Sequence, residues 1–152
     1  MFTSFRKHFI QGLVTIVLVG FSSTLFAAQF ITVTKDNVNV RTGPGTNNPV
    51  HLQLFDGYPL KVVDKKGSWY KVVDFEKDTG WIESSLTRAN DTVIVDAKNY
   101  VNMREKPSVN SPVVATVDHG VVLEKIGMQG SWIKVRHSSG VSGWIYGKLV
   151  WP

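Results

Sequence analysis

Chemistry that cuts or transfers bonds needs a constellation of side chains, and this chain offers none at a supporting spacing. His51, His119 and His137 have no short ligand spacing between them, so they do not form a zinc set. Serines are plentiful, yet no Gly-x-Ser-x-Gly elbow occurs, and neither a Ser/His/Asp set nor a carboxylate pair stands out. Cysteine is absent altogether, which removes disulfides, thiolate metal sites, a cysteine nucleophile and lipid attachment at an N-terminal cysteine. The expectation is a non-enzymatic chain without metal or cofactor. What does recur is aromatic rings near cations: Trp69 with Lys71, Trp132 with Lys134 and Arg136, and the pairs Asn39/Arg41 and Asn102/Arg104. Tryptophan holds ligands through apolar ring area and arginine through forked hydrogen bonds.

Those residues recur because the chain repeats itself. A shift of 63 places lays Val38-Asn39-Val40-Arg41 on Val101-Asn102-Met103-Arg104, and the match runs without a gap to the C-terminus. Pro44 falls on Pro107, Gly57 on Gly120, Gly67-Ser68-Trp69 on Gly130-Ser131-Trp132, Gly80-Trp81-Ile82 on Gly143-Trp144-Ile145, and Leu86 on Leu149. A fixed period means one structural unit built twice. The polar stretch Arg88-Ala89-Asn90-Asp91 separates the copies, giving expected domains at 29–89 and 90–152 behind a leader at 1–28.

Within each copy the segments are short, alternating and valine-rich, with Gly, Pro, Asn and Asp clusters between them, the pattern of an antiparallel all-β barrel or sandwich. Thr42 to Pro49 is a long loop, because its prolines lack a ladder donor and its glycines weaken pairing. Lys65 to Ser68 and Met128 to Ser131 lie between strand-like runs and predict hairpin turns.

Alternation sorts the side chains into faces. Trp69, Lys71 and Val73 share one side of their strand and Tyr70, Val72 and Asp74 the other. In the second copy Trp132, Lys134 and Arg136 lie together, leaving Ile133 and Val135 as the apolar set that faces the core. By the same rule Ile82 and Ile145 point inward, while Trp81 with Glu83 and Trp144 with Tyr146 point outward. Two readings of the tryptophans stand: Trp69 and Trp132 fold over a barrel end or seal the contact between copies, or they are ligand platforms. On the second reading Trp132, Trp144 and Tyr146 form an aromatic groove suited to sugar faces or a peptide backbone. Two readings of the arginines stand as well. Either each holds a neighbouring carboxylate while its asparagine satisfies loop amides, or Arg41 and Arg104 pair with a ligand carboxylate. The candidate ligand-binding set is Arg41, Trp69, Trp81, Arg104, Trp132, Trp144 and Tyr146.

Composition sets the remaining limits. The 152 residues are 43% hydrophobic and 11% aromatic, which a globular protein can turn into a core. The formal charge is +5, and +3 once Arg6 and Lys7 are removed with the leader. Without a clustered basic face this does not describe a nucleic-acid binder. Arg6 and Lys7, the apolar run Leu13 to Val19 and the small residues ending at Ala27-Ala28 make a secretory signal peptide, cut after Ala27 or Ala28. The alternative is an uncleaved membrane anchor, since Phe9 to Ala28 spans about the length that crosses a hydrocarbon core. Either way the rest is outside the cytoplasm, periplasmic or secreted. Two domains of about 60 residues each, held by packing alone, are marginal. Each is expected to keep a β spectrum when cut apart near Asn90; a pair that folds only together would share a core sealed by Trp69 or Trp132.

A first strand ending Val38-Asn39-Val40-Arg41, the Gly43-Pro44-Gly45 loop, Gly67-Ser68-Trp69-Tyr70-Lys71-Val72 and the closing Gly80-Trp81-Ile82 resemble the bacterial SH3 (SH3b) domain family. The likeness covers about Val33 to Leu86 and Asp96 to Leu149; the second copy departs in Arg104-Glu105-Lys106-Pro107-Ser108, which lacks both glycines. The resemblance implies an all-β chain of two tandem SH3-like small β-barrels. It also implies an exported, non-catalytic binding module of the cell envelope that recognises peptidoglycan or its peptides. The competing expectation is a protein-interaction scaffold that recruits a separate envelope enzyme.

Overall fold

The computed structural model describes residues 29–152, so the leader expected at 1–28 lies outside the described residues. The first copy contributes β1 (Gln29–Val33), β2 (Val38–Arg41), β3 (Val50–Leu54), β4 (Pro59–Lys66), β5 (Trp69–Val73), β6 (Thr79–Glu83) and β7 (Thr87–Ala89). They pair in the order β3-β2-β6-β5-β4-β1-β7. The second copy contributes β8 (Thr92–Val95), β9 (Tyr100–Arg104), β10 (Val113–Asp118), β11 (Val122–Gln129), β12 (Trp132–Arg136), β13 (Ser142–Tyr146) and β14 (Val150–Trp151). Their order, β10-β9-β13-β12-β11-β8-β14, is the same topology again. Among the described residues the helical elements are two 3-10 turns, Ser84–Leu86 and Gly147–Leu149. The architecture is all-β, two tandem SH3-like domains.

Local sequence explains each bend. β4 and β11 are eight residues long, and each carries a bulge at the equivalent place, between Val62 and Asp64 and between Lys125 and Gly127. A bulge bends and twists its strand, so β4 pairs with β1 at one end and β5 at the other. The predicted hairpins form: Lys66 pairs with Trp69 across Gly67-Ser68, and Gly67 takes the positive φ of 57° that glycine adopts without strain. Gly143 is required for a different reason. A Cβ there would lie 2.8 Å from the Arg104 carbonyl oxygen, so only glycine lets β13 approach β9 this closely.

The inward positions read from alternation are the core. Val72, Val135, Ile82 and Ile145 are buried together with Ile31, Val33, Leu60, Val93, Met103 and Leu123. The cores nevertheless do not divide at the linker. Ile94, on the second copy's first strand, belongs to the first copy's hydrophobic cluster, and Val122 and Trp151 pack against it. Trp151 also meets Phe30 edge-on at 5.5 Å, and Phe75 lies 5.5 Å from the ring of His119. The contact between copies is therefore sealed by these residues and by neither Trp69 nor Trp132. A polar seam runs beside it: the Thr92 hydroxyl donates to the Gly57 carbonyl at 2.7 Å and lies 3.0 Å from the Thr32 hydroxyl. Arg88 ties the edge, donating to the Val33 carbonyl and to Asp56 and Asp91. Its hydrogen bond to Asp91 raises its pKa further, although pairs this exposed contribute little stability.

The repeat also shifts register at its start. Val33 donates to the Tyr58 carbonyl as Val95 donates to that of Val121, a 62-place equivalence in place of 63. The second copy carries one extra residue here, since Val101, the equivalent of Val38, lies six places after Val95 whereas Val38 lies five after Val33.

Candidate functional site

A groove of about 230 Å³ on the first copy is lined by Lys35, Asn37, Val38, Asn39, Arg41, Thr46, Trp69, Glu83 and Leu86. A groove of about 280 Å³ on the second is lined by Tyr100, Val101, Asn102, Arg104, Val109, Trp132, Tyr146 and Leu149. All eight positions of the second groove are those of the first displaced by 63: Asn37 to Tyr100, Arg41 to Arg104, Thr46 to Val109, Trp69 to Trp132, Glu83 to Tyr146, Leu86 to Leu149, with Val38 and Asn39 likewise. Lys35 alone lines one groove without its counterpart lining the other. The fold thus builds one concave site twice, from a strand end, the long loop, a tryptophan at the start of the fifth strand and a 3-10 turn.

Strand pairing positions the walls. Trp69 pairs with Glu83, and Trp132 with Tyr146, whose rings meet at 5.7 Å in an edge contact. The two arginines are half-buried and make the same bond in each copy. Arg41 donates from Nη1 to the Asn48 carbonyl at 2.7 Å, and Arg104 donates from Nη1 to the Ser111 carbonyl at 2.7 Å. Each pins the long loop against the strand that precedes it. The expectation that arginine holds a neighbouring carboxylate is corrected, because the groups it reaches are backbone carbonyls. Asn39, expected to satisfy loop amides, instead accepts from Gln53 Nε2 across the β2–β3 pair.

Five of the seven candidate residues come together in these grooves: Arg41 and Trp69 in one, Arg104, Trp132 and Tyr146 in the other. Trp81 and Trp144 line neither. They lie one step farther along the outer face, opposite Arg41 and Arg104 in the ladder, and the Lys134 ammonium sits 5.9 Å from the centre of the Trp144 ring. The aromatic groove expected from Trp132, Trp144 and Tyr146 is thus a groove with Trp144 on its flank. Sequence reasoning passed over Thr46, Val109, Leu86 and Leu149. The two leucines carried a signal in their exact repetition, whereas the loop residues had none, because loop path is not readable from period.

Chemically the grooves differ. The first places Lys35, Arg41 and Glu83 around one tryptophan; in the second Arg104 is the charged residue, among Tyr100, Val109, Trp132 and Tyr146. Among the described residues, Asp74, Glu76 and Asp78 form the group whose side-chain oxygens converge closely enough to hold a metal ion. Asp74 is already used, accepting from the Tyr58 hydroxyl at 3.1 Å and from the Asp78 amide at 2.9 Å. Burial, reinforced by that carboxylate, holds the Tyr58 hydroxyl well above the ordinary phenol range. The three histidines are not brought together: His119 lies against the Ala97 carbonyl, His137 against Ser139, and His51 is exposed on β3.

Two small all-β units, each with a groove walled by a tryptophan and a loop-pinning arginine, define a tandem SH3-like architecture. The chain belongs to the bacterial SH3 domain family, whose match covers residues 34–88 and 97–152. It is similar to the putative N-acetylmuramoyl-L-alanine amidase YrvJ of Bacillus subtilis (strain 168), at 24% identity over 163 aligned residues and 95% of this chain. That stretch is 30% of the relative, so the chain spans under a third of its length. Solved structures of NlpC1 and NlpC2 from Trichomonas vaginalis also align, at 14% and 13% identity. They cover 91% and 83% of this chain against 50% and 48% of theirs, both with a TM-score of 0.36, too slight a likeness to carry an argument.

Proposed function

We propose that the chain is an exported, non-catalytic binding module of the cell envelope that holds peptidoglycan or its peptides in its two grooves. The observation that carries this reading is the recurrence of one groove at the same eight positions of both copies. The name of the YrvJ relative, an amidase of N-acetylmuramoyl-L-alanine, supports a wall ligand. We read residues 1–28 as a cleaved signal peptide, 29–89 and 90–152 as the two modules, and the periplasm or the exterior as their location. Aromatic walls suit sugar faces, and the arginine beside each suits a peptide carboxylate. Duplication multiplies the effect, since two linked weak sites exceed either affinity by about 10²-fold or more when both engage.

Purified protein should sediment with insoluble wall and release no soluble fragments from it. Capture of a soluble envelope enzyme with no affinity for wall would instead support the scaffold reading.

A further inference from the structure

The two copies differ most at one barrel end. In the first copy that end is plugged: Tyr58 and Phe75 are 7% and 8% exposed, with ring centres 6.3 Å apart, and Leu52 packs beside them. The second copy keeps the same backbone there. His137 donates its amide to Val141 as Asp74 does to Asp78, Gly140 donates to His137 as Lys77 does to Asp74, and Val121 donates to Asp118 as Tyr58 does to Phe55. The side chains on this frame are smaller. Ala115 stands for Leu52, Val121 for Tyr58 and Ser138 for Phe75. Replacing the Tyr58 ring by valine and Leu52 by alanine on a frame that does not collapse leaves a void, and a pocket of about 310 Å³ opens there with Met103, Ala115, Val121 and Val141 in its lining.

We propose that this pocket is a binding site for a tyrosyl ring presented by a peptide. The first copy supplies the template, since its own tyrosine fills the equivalent space and hydrogen-bonds to residue 74. Residue 74 corresponds to His137, which lines the pocket. The Ser139 amide donates to His137 Nδ1, which leaves the proton of the neutral ring on Nε2 as a donor for a phenolic oxygen. Val121 and His137 also line the cleft of about 580 Å³ between the copies, where Arg136, Glu124 and Asp91 offer charge of both signs. A ring in the pocket therefore leaves its polar main chain in a polar cleft.

The methionines provide the test. Met103 is fully buried at the pocket, whereas Met128 is 67% exposed on β11 and lines none of the grooves or pockets described. With methionine methyls isotopically labelled, N-acetyl-tyrosine amide in the millimolar range should shift the Met103 methyl by ring current and leave Met128 unmoved. N-acetyl-alanine amide should shift neither. Val121→Tyr restores the plug and should abolish the response while wall binding persists, since residue 121 lines neither groove. If that variant does not fold, Ala115→Leu, the smaller restoration, should weaken the response about tenfold or more. An unmoved Met103, equal shifts from the alanine probe, or an undiminished response in a folded plugged variant would overturn the proposal, whatever the outcome of the wall-binding test.

Discussion

The two copies share a topology, a bulge position, a hairpin turn and a loop-pinning arginine, yet their grooves and barrel ends are chemically unlike. The shared features all concern the backbone: glycine where strands nearly touch, inward aliphatics at every second position, a positive φ at the turn. The differences sit where the backbone is indifferent to the side chain: Glu83 against Tyr146, Thr46 against Val109, Tyr58 against Val121. Duplication has fixed the frame and left its surfaces to diverge, which is how one fold comes to present two different sites.

The largest effect should come from breaking the assumption that the copies are independent. Ile94→Ala lies in the second copy by sequence but removes a side chain from the first copy's core, and it should cost about 2–4 kcal/mol. Amide exchange should show the loss in β1 and β4 as well as β8. Protection lost in the second copy alone would restore the picture of two separate cores.

A smaller effect separates the two barrel ends. Tyr58→Phe removes the hydroxyl that serves buried Asp74 and should destabilise by about 1–2 kcal/mol. It should also change the alkaline behaviour. The folded-state pKa of Tyr58 is raised above its ordinary 10.0, so its contribution is fully present below pH 10.0 and is lost as pH rises beyond that value. Denaturant titrations across this range should show the wild type losing stability more steeply than Tyr58→Phe. Equal slopes would contradict the assignment.

Smaller again, Arg41→Ala and Arg104→Ala each delete one loop-pinning bond and should each cost about 1 kcal/mol. Nearly equal values in a thermal melt would confirm that the arginines do the same structural work in both copies. The smallest difference expected is in salt response. Binding through the first groove, isolated in Trp132→Ala, should weaken more between low and high ionic strength than binding through the second, isolated in Trp69→Ala, because Lys35, Arg41 and Glu83 surround only the first.

The frame was legible because its determinants are local. Period-2 alternation marked Ile82, Ile145, Val72 and Val135 as inward, and Gly67-Ser68 marked a hairpin. Trp69, Trp132 and Tyr146 could be nominated for a groove because alternation placed them on the outer face, and Arg41 and Arg104 because they recur at the end of a strand in both copies. Trp81 and Trp144 obey the same alternation and still miss the groove, since which outer residues converge depends on cross-strand register and barrel curvature. Of the two readings of Trp69 and Trp132, the seal between copies fails for a related reason. Trp69 and Trp132 looked like seals because they are large, whereas Ile94 does the sealing. Its strand, Thr92–Val95, is buried at all four residues, and a strand covered on both faces loses alternation. In Thr92-Val93-Ile94-Val95 that signal was present as an unbroken apolar run of three after a threonine.

The central claim, one groove used twice to hold the wall, is tested most directly by sedimenting Trp69→Ala, Trp132→Ala and the double variant with insoluble peptidoglycan, with circular dichroism confirming the β fold of each. Each single variant should bind more weakly, the double variant should lose about 10²-fold or more, and none should release soluble fragments. A folded double variant that sediments like the parent chain would contradict the account.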